Sequence, residues 1–354
     1  MQETIHVRKG EEIDLNTLSI YLKENIPEFD MINPLSIKQF SGGYSNLTYL
    51  LTSGNLEMVL RRPPVGAKIK SAHDMSREYR ILKSIRPVFP YCPEALVYCE
   101  DTDVIGSKFY IMKRIPGIIL RKNLPEGLSF NSEEARNLCK KLLDVHVELH
   151  NIDVKTAGLD FIGKPEGYVD RQVSGWSDRY RKAKTNDAPD FETVMAWLKK
   201  KQPKDSDSPV LVHNDYKFDN VVLDPKNPMS IIGVLDWEMA TYGDPLMDLG
   251  NSLAYWVEKN DPSDLQNIRI MPTHIDGAMT RQELVSRYGE KTGRDMSYFD
   301  YYLCFGLFRL AVIAQQIYKR YFQGLTKDSR FGMLIFAVQI LEQAALQIIE
   351  RTKI

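Results

Sequence analysis

His213, Asp215 and Asn220 fit the spacing H-x-D-x-x-x-x-N, and sixteen residues beyond Asn220 an apolar run ends on Asp236. Apolar runs at Val210 to Val212, Asn220 to Leu223 and Ile231 to Leu235 alternate with a polar loop and with Asp224-Pro225-Lys226-Asn227-Pro228. This predicts strand, loop, strand, turn, strand. The hairpin is expected to bring the Asp215 loop, Asn220 and Asp236 to one edge. A carboxylate, an amide and a second carboxylate together supply a proton acceptor and oxygen ligands for a hard cation. Phosphoryl transfer from Mg-ATP needs that set, because there the protein mostly positions groups and neutralises charge.

Such chemistry needs a cradle for the nucleotide, and the first third of the chain has the pattern for one. From Leu35 the apolar period is two. Leu35 to Phe40, Asn46 to Thr52 and Leu56 to Arg61 read as antiparallel strands, the last two joined by Ser53-Gly54-Asn55. The first connection, Ser41-Gly42-Gly43-Tyr44-Ser45, has the composition of a loop whose amides at Gly42, Gly43 and Ser45 close over phosphate oxygens; a plain hairpin turn uses the same residues. Strand alternation puts Val59 and Arg61 on one face, Val59 lining an adenine pocket and Arg61 reaching the phosphates, with Arg62 as the alternative. A helix beginning at Ser71-Ala72-His73-Asp74, with Met75, Tyr79 and Leu82 as its apolar stripe, carries Glu78. Its partner is either Arg61 or, on the surface, the neighbourhood of Arg77 and Lys83. Two more strands, Ala95 to Cys99 and Lys108 to Met112, complete the sheet. Met112 is expected beside adenine, with the backbone of Lys113 to Gly117 as hinge and base contact.

The remainder is helical by period. A short packing helix precedes the sheet at Asp14 to Lys23. Ala135, Leu138, Cys139, Leu142, Val145 and Leu149 mark an amphipathic helix after Ser132. His146 and His150 lie four apart on it, a spacing that suits a metal pair but lacks an acidic third ligand nearby, so packing is the expectation. Gly167 to Lys184, Asp190 to Lys199, a helix capped by Thr280-x-x-Glu283, Tyr301 to Phe322 and Arg330 to Glu350 follow.

Hydrophobic residues make up 43% and charged residues 26% of the 354, with a formal net charge of −1. There is no basic excess to suggest nucleic acid. The amino terminus is too charged for a secretory signal. The apolar stretches near Leu303 to Ile317 and Gly332 to Ile349 are interrupted by Arg309, Gln315, Gln339, Glu342 and Gln347, which reads as buried helix, with no membrane partner. Four cysteines without paired metal spacing suit a reducing cytoplasm.

The H-x-D-x-x-x-x-N spacing is similar to the protein-kinase catalytic loop, with Trp237-Glu238 after Asp236 where protein kinases carry Phe-Gly. Gly243-Asp244-Pro245 and Asp248-Leu249 extend this to a pattern that resembles the aminoglycoside phosphotransferase family. It is most like the kinase-like domains that occur fused to acyl-CoA dehydrogenases. Gly42-Gly43-x-Ser45-Asn46-Leu47-Thr48-Tyr49, Val59-Leu60-Arg61-Arg62-Pro63-Pro64, Arg171-Gln172-Val173 with Trp176, and Phe305-x-x-Phe308-Arg309 carry the narrower likeness.

The resemblance implies an α+β, two-lobed protein-kinase-like fold: a small antiparallel-sheet lobe over residues 1–113 and a larger helical lobe over 114–354. It implies ATP and Mg²⁺ as cofactors and a small-molecule hydroxyl as acceptor, including that of a hydroxyacyl-CoA. Asp215 would accept the hydroxyl proton, Lys217 would offset phosphoryl charge, and Asn220 and Asp236 would hold Mg²⁺. His213 and Asp248 would brace the loop. Arg171, Trp176 and Arg309 would border the acceptor, where they could meet an anionic or thioester-bearing substrate, or serve packing. Glu258, Asp261 and Asp264 could instead form an acidic pocket for an antibiotic polycation. A non-catalytic nucleotide-binding module is the remaining alternative, with arginine in place of the usual lysine at position 61 as its one support.

Overall fold

The computed structural model describes residues 3–41, 46–64, 74–326 and 328–354. The chain divides into two compact units. The first is Met1–Gly117 with Ala157–Leu159 and Ile232–Glu238; the second is Ile118–Thr156, Asp160–Ile231 and Met239–Ile354.

The first unit is a six-stranded sheet flanked by two helices. Its elements are β1 (Thr4–Ile5), α1 (Leu15–Asn25), β2 (Ser36–Phe40), β3 (Leu47–Ser53), β4 (Leu56–Arg62), α2 (Met75–Ile85), β5 (Ala95–Cys99) and β6 (Phe109–Lys113). The strands lie in the order β1-β2-β3-β4-β6-β5, each pair antiparallel. Alternation gives the sheet two different faces. Tyr49 and Leu51, Met58 and Leu60, and Phe109 and Ile111 join Leu18 and Leu22 of α1 in one buried cluster. The opposite face carries Val59 and Arg61, and Val59 stands directly across from Met112 in the β4–β6 register. Asp14 caps α1 by accepting from the Asn16 N–H, and Asp74 caps α2 by accepting from the Arg77 N–H. The expected start of α2 at Ser71 to His73 lies outside the described residues.

The second unit is mostly helical. It contains α3 (Ser132–His150), α4 (Tyr168–Ala183), α5 (Glu192–Lys200), β7 (Val210–Val212) and β8 (Val221–Leu223). After β9 (Ile231–Val234), most of which belongs to the first unit, come β10 (Thr241–Gly243), α6 (Pro245–Ala254), α7 (Ser263–Ile268), α8 (Arg281–Thr292), α9 (Phe299–Phe322) and α10 (Leu334–Arg351). Strands β7 and β10 pair antiparallel, Leu211 opposite Tyr242, so the chain entering His213 is fixed beside Gly243-Asp244-Pro245. That triplet starts α6. Gly243 leaves room for the Tyr168 ring, which a Cβ there would meet at 2.5 Å, Asp244 accepts from the Leu246 and Met247 N–H groups, and Pro245 takes the first turn.

Helix α9 packs against α4, α6 and α10. The segment Ser329–Arg351 is long and apolar enough to cross a membrane by length and composition alone. The expectation of a buried helix there holds for one face only: Ile335, Val338, Leu341, Ala345 and Ile348 are buried, while Met333 and Phe336 are exposed.

Candidate active site

In the first unit, β4 holds Arg61 and α2 holds Glu78. The two side chains form a buried ion pair in which the Arg61 Nη1 donates to Glu78 Oε1. Both Arg61 terminal nitrogens also lie 3.2 Å from Asp236 Oδ1, and Nη2 lies 3.3 Å from Glu238 Oε2. Burial opposes the charge on Arg61, but Glu78, Tyr110, Asp236 and Glu238 more than offset it and hold its pKa well above the usual value. For Glu78, burial pushes the carboxyl up against the pull of Arg61.

Arg62 points to the other face. It donates to Tyr49 Oη at 3.0 Å, Glu11 O at 2.7 Å and Ile105 O at 3.3 Å, all uncharged acceptors. Strand alternation thus separates an arginine that faces carboxylates from one that serves the lobe.

Asp236 adopts a left-handed backbone, φ 65°, a conformation uncommon for a non-glycine residue and concentrated at functional sites. Trp237 anchors it from behind: its Nε1 donates to Val234 O at 2.8 Å and its ring meets Phe89 edge-on. Glu238, which the sequence reading passed over, accepts from Asn46 Nδ2 at 2.8 Å, while its carbonyl accepts from Arg77. Its signal was visible as the second acid of Asp236-Trp237-Glu238. One guanidinium among Glu78, Asp236 and Glu238 leaves an excess of carboxylate oxygen, the donor set a hard divalent cation takes.

Gly42, Gly43 and Ser45 lie outside the described residues. In the expected hinge, the N–H groups of Lys113 and Arg114 are already engaged by Glu94 O and Glu57 O. A base contact by a backbone N–H in that stretch therefore falls to Ile115 or Gly117.

In the second unit the loop that carries Asp215 is clamped from below. Asp248, on α6 and fully buried, accepts the His213 N–H at 2.8 Å and the Asn214 N–H at 2.6 Å. Its Oδ2 also lies 3.0 Å from His146 Nε2 and 3.1 Å from His150 Nε2. Burial alone would raise this carboxyl; the two imidazole donors hold it well below the ordinary range. Burial and His146 push His150 down to about 4, so the ring is neutral, and its Nδ1 meets Tyr288 Oη at 2.7 Å.

The expectation that the histidine pair lacks an acidic partner is corrected, because α6 brings Asp248 from a hundred residues away. His146, His150 and Asp248 present ligand atoms within 4.8 Å of one another. Even so, the carboxylate is spent on four donors, and the trio acts as a brace for the loop.

Asn214 follows in the left-handed region, φ 64°, a conformation asparagine tolerates. Its amide donates to Met239 O and accepts from Tyr168 Oη and Asn251 Nδ2. Asp215 comes next. Its Oδ2 accepts from Lys217 Nζ and, at 2.7 Å, from Asn220 Nδ2, while its N–H donates to His213 Nδ1 at 3.2 Å.

Asn220 was expected to open a strand; it ends a short 3-10 turn, Phe218–Asn220, which aims its amide back at Asp215. Lys217 is buried, and burial opposes its charge, but Asp215 and Tyr255 hold its pKa above the ordinary value. Tyr255, another residue the sequence reading missed, lies with its ring 5.0 Å from Lys217 Nζ. Burial, then the Asp215 carboxylate, push its phenol up to about 12.

The three residues expected to border an acceptor separate. Trp176 is buried, its Nε1 donating to Gln172 Oε1 at 3.1 Å, and the Arg309 guanidinium lies 5.0 Å from its ring centre. Arg171 instead donates to the carbonyls of Glu166 and Lys164. Of the acids that suggested an acidic pocket, Glu258 and Asp261 share one guanidinium: Arg281 lies 3.2 Å from Glu258 and 2.5 Å from Asp261, which offsets one of their two charges.

A sheet unit holding a buried Arg–Glu pair, with a helical unit holding an Asp–Lys–Asn loop, defines a kinase-like phosphotransferase fold in two lobes. Residues 36–279 match the sequence profile of the phosphotransferase enzyme family, and the chain belongs to that family. It is 32% identical to rat acyl-CoA dehydrogenase family member 11 over 356 residues, covering 99% of this chain and 45% of that protein. The chain thus spans under half the length of such curated relatives. Among solved structures it resembles a candidate aminoglycoside phosphotransferase from Ralstonia eutropha, with 28% identity, a TM-score of 0.80, and coverage of 97% of this chain and 100% of that one. An aminoglycoside phosphotransferase solved with GDP and kanamycin shares the fold, with 15% identity, a TM-score of 0.63, and coverage of 94% and 99%.

Proposed function

We propose that the protein transfers the γ-phosphoryl group of ATP to a hydroxyl of a small molecule. The observation that supports this most strongly is the environment of Asp215. Its carboxylate sits in a loop clamped through Asp248, with one oxygen engaged by Lys217 and Asn220. In this reading Asp215 takes the proton of the acceptor hydroxyl as the hydroxyl oxygen bonds to the γ-phosphorus and the bond from that phosphorus to the bridging oxygen breaks, ADP leaving; Lys217 remains to balance the charge on the transferring group. Arg61, oriented by Glu78, contacts the phosphates. Val59 and Met112, opposite each other in register, line the base. Asn220 in the second unit, and Asp236 and Glu238 in the first, each carry an oxygen donor of the kind Mg²⁺ takes, and the ion would neutralise phosphate charge.

The acceptor we assign is a hydroxyacyl-CoA. Relatives named for acyl-CoA dehydrogenation support it, and the engagement of Glu258 and Asp261 by Arg281 speaks against a pocket built for polycationic antibiotics. Incubation with Mg²⁺ and γ-labelled ATP against hydroxyacyl-CoAs, sugars, choline and kanamycin tests the assignment. Label should pass to the hydroxyacyl-CoA, and Asp215→Asn should slow the transfer by about 10²–10⁴-fold. The absence of both transfer and Mg-dependent ATP binding would leave a scaffold that keeps only the fold.

A further inference from the structure

Arg309 enters α9 as a charge in an apolar helix, and it is 2% exposed. A buried guanidinium normally carries a carboxylate with it, since an uncompensated charge in the interior costs several kcal/mol. Among the described residues Arg309 has none: Nη2 meets the Met239 sulfur at 3.2 Å, and the guanidinium lies over the Trp176 indole. A second guanidinium, Arg179, lies 4.6 Å from the centre of the same indole and likewise has no carboxylate partner among the described residues. The two cations feel each other, since burial and then the charge of Arg309 lower the pKa of Arg179. Cation–π contact with the ring offsets part of this cost and leaves the buried Arg309 without an anion among the described residues, with the solvent-exposed Arg179 on the same ring.

The pair stands close to the reacting end of the lobe. Arg309 meets the sulfur of Met239, whose carbonyl accepts from Asn214 beside Asp215, and the same Asn214 accepts from the Tyr168 phenol. Tyr168 also lines a cleft of about 410 Å³ with Gly163, Lys164, Arg171, Gln172 and Thr241, a wall with two cations and no carboxylate. Gln172 in turn accepts from the Trp176 Nε1, joining the cleft to the guanidinium–indole stack.

We infer that Arg309 and Arg179, held around Trp176, form an anion-binding subsite for the acceptor, so that the molecule phosphorylated carries a carboxylate or phosphate group and not a cation. This rests on the phosphotransferase reading of Asp215 and adds the charge class of the acceptor. A carboxylate entering the subsite takes the bidentate position on the Arg309 guanidinium, which no carboxylate among the described residues fills. A polycation such as kanamycin would meet two positive charges there.

The test is calorimetric and needs no turnover. Butanoate and butanoyl-CoA, which have no acyl-chain hydroxyl to phosphorylate, are titrated into the Mg-ADP-loaded wild type, Arg309→Gln and Arg179→Gln, with kanamycin as the cationic probe. One of the two anions should bind the wild type, and Arg309→Gln should weaken it about tenfold or more, the worth of one hydrogen bond to a charged group. Arg179→Gln, at an exposed position where folding is not at stake, should weaken it in the same direction. Binding of butanoate places a carboxylate in the subsite, whereas binding of butanoyl-CoA alone places a CoA phosphate there. Failure of both anions to bind, equal binding by wild type and Arg179→Gln, or tight binding of kanamycin in their place would overturn the inference. Loss of phosphoryl transfer with anion binding intact would count against the catalytic reading alone.

Discussion

Gly250 and Gly306 face one another where α6 crosses α9: a Cβ on Gly306 would lie 2.3 Å from the Gly250 carbonyl oxygen, and one on Gly250 would lie 2.3 Å from the carbonyl oxygen of Tyr302. The contact brings two helices backbone to backbone, and those helices carry Asp248, which braces the loop leading to Asp215, and Arg309. Gly306→Ala should therefore destabilise the protein by about 1–3 kcal/mol or more, since the obstacle is main chain and cannot rotate away. Urea denaturation of the variant against wild type measures it; an unchanged midpoint would mean that the helices separate at no cost.

The Arg61–Glu78 pair is buried on both sides, so removing one partner strands the other's charge. Arg61→Ala should cost about 3–5 kcal/mol. Arg61→Met together with Glu78→Leu should recover much of that stability while leaving nucleotide binding impaired. Thermal unfolding combined with titration of Mg-ATP separates the two effects, and a double variant that binds Mg-ATP normally would remove Arg61 from the nucleotide site.

His150 makes stability depend on pH. Its folded pKa, about 4, lies below the ordinary histidine value of 6.5, so between those values the unfolded chain binds the extra proton. The contribution, about 3 kcal/mol in scale, is present above pH 6.5 and is lost as pH falls towards 4. His150→Gln should flatten the fall in the denaturation midpoint across that window, and a slope identical to wild type would show that the ring does not titrate there.

Glu238 shares Arg61 with Asp236 and ties down Asn46. Glu238→Gln keeps an acceptor for Asn46 but removes a charge, so it should weaken Mg²⁺-dependent ATP binding several-fold with little change in the denaturation midpoint. Equal losses of stability and binding would instead mark Glu238 as a structural acid.

Asp215→Asn should lower kcat by about 10²–10⁴-fold, the usual worth of a general base, with Mg-ATP affinity retained. A parallel fall in nucleotide affinity would place the residue in the ATP site.

What the sequence determined is what is local. The period-two runs placed β2 to β6 to within a residue or two, while the two-residue β1, Thr4–Ile5, had no period to show it. The 3.6-residue stripe on α3 and the Thr280–Glu283 capping box gave helices where they lie, because pleat, stripe and cap depend on neighbours a few residues away. The choice of Arg61 over Arg62 followed from alternation alone. Tertiary structure decided which distant charges meet. Asp248 reaches the histidines of α3, Glu238 joins Arg61, Arg281 takes Glu258 and Asp261, and Arg309 is buried with an indole and a thioether in place of an acid. No local spacing encodes those pairings, since each depends on which helix face or strand edge packs against which. A buried charge takes whatever partner, or lack of one, the packing leaves it.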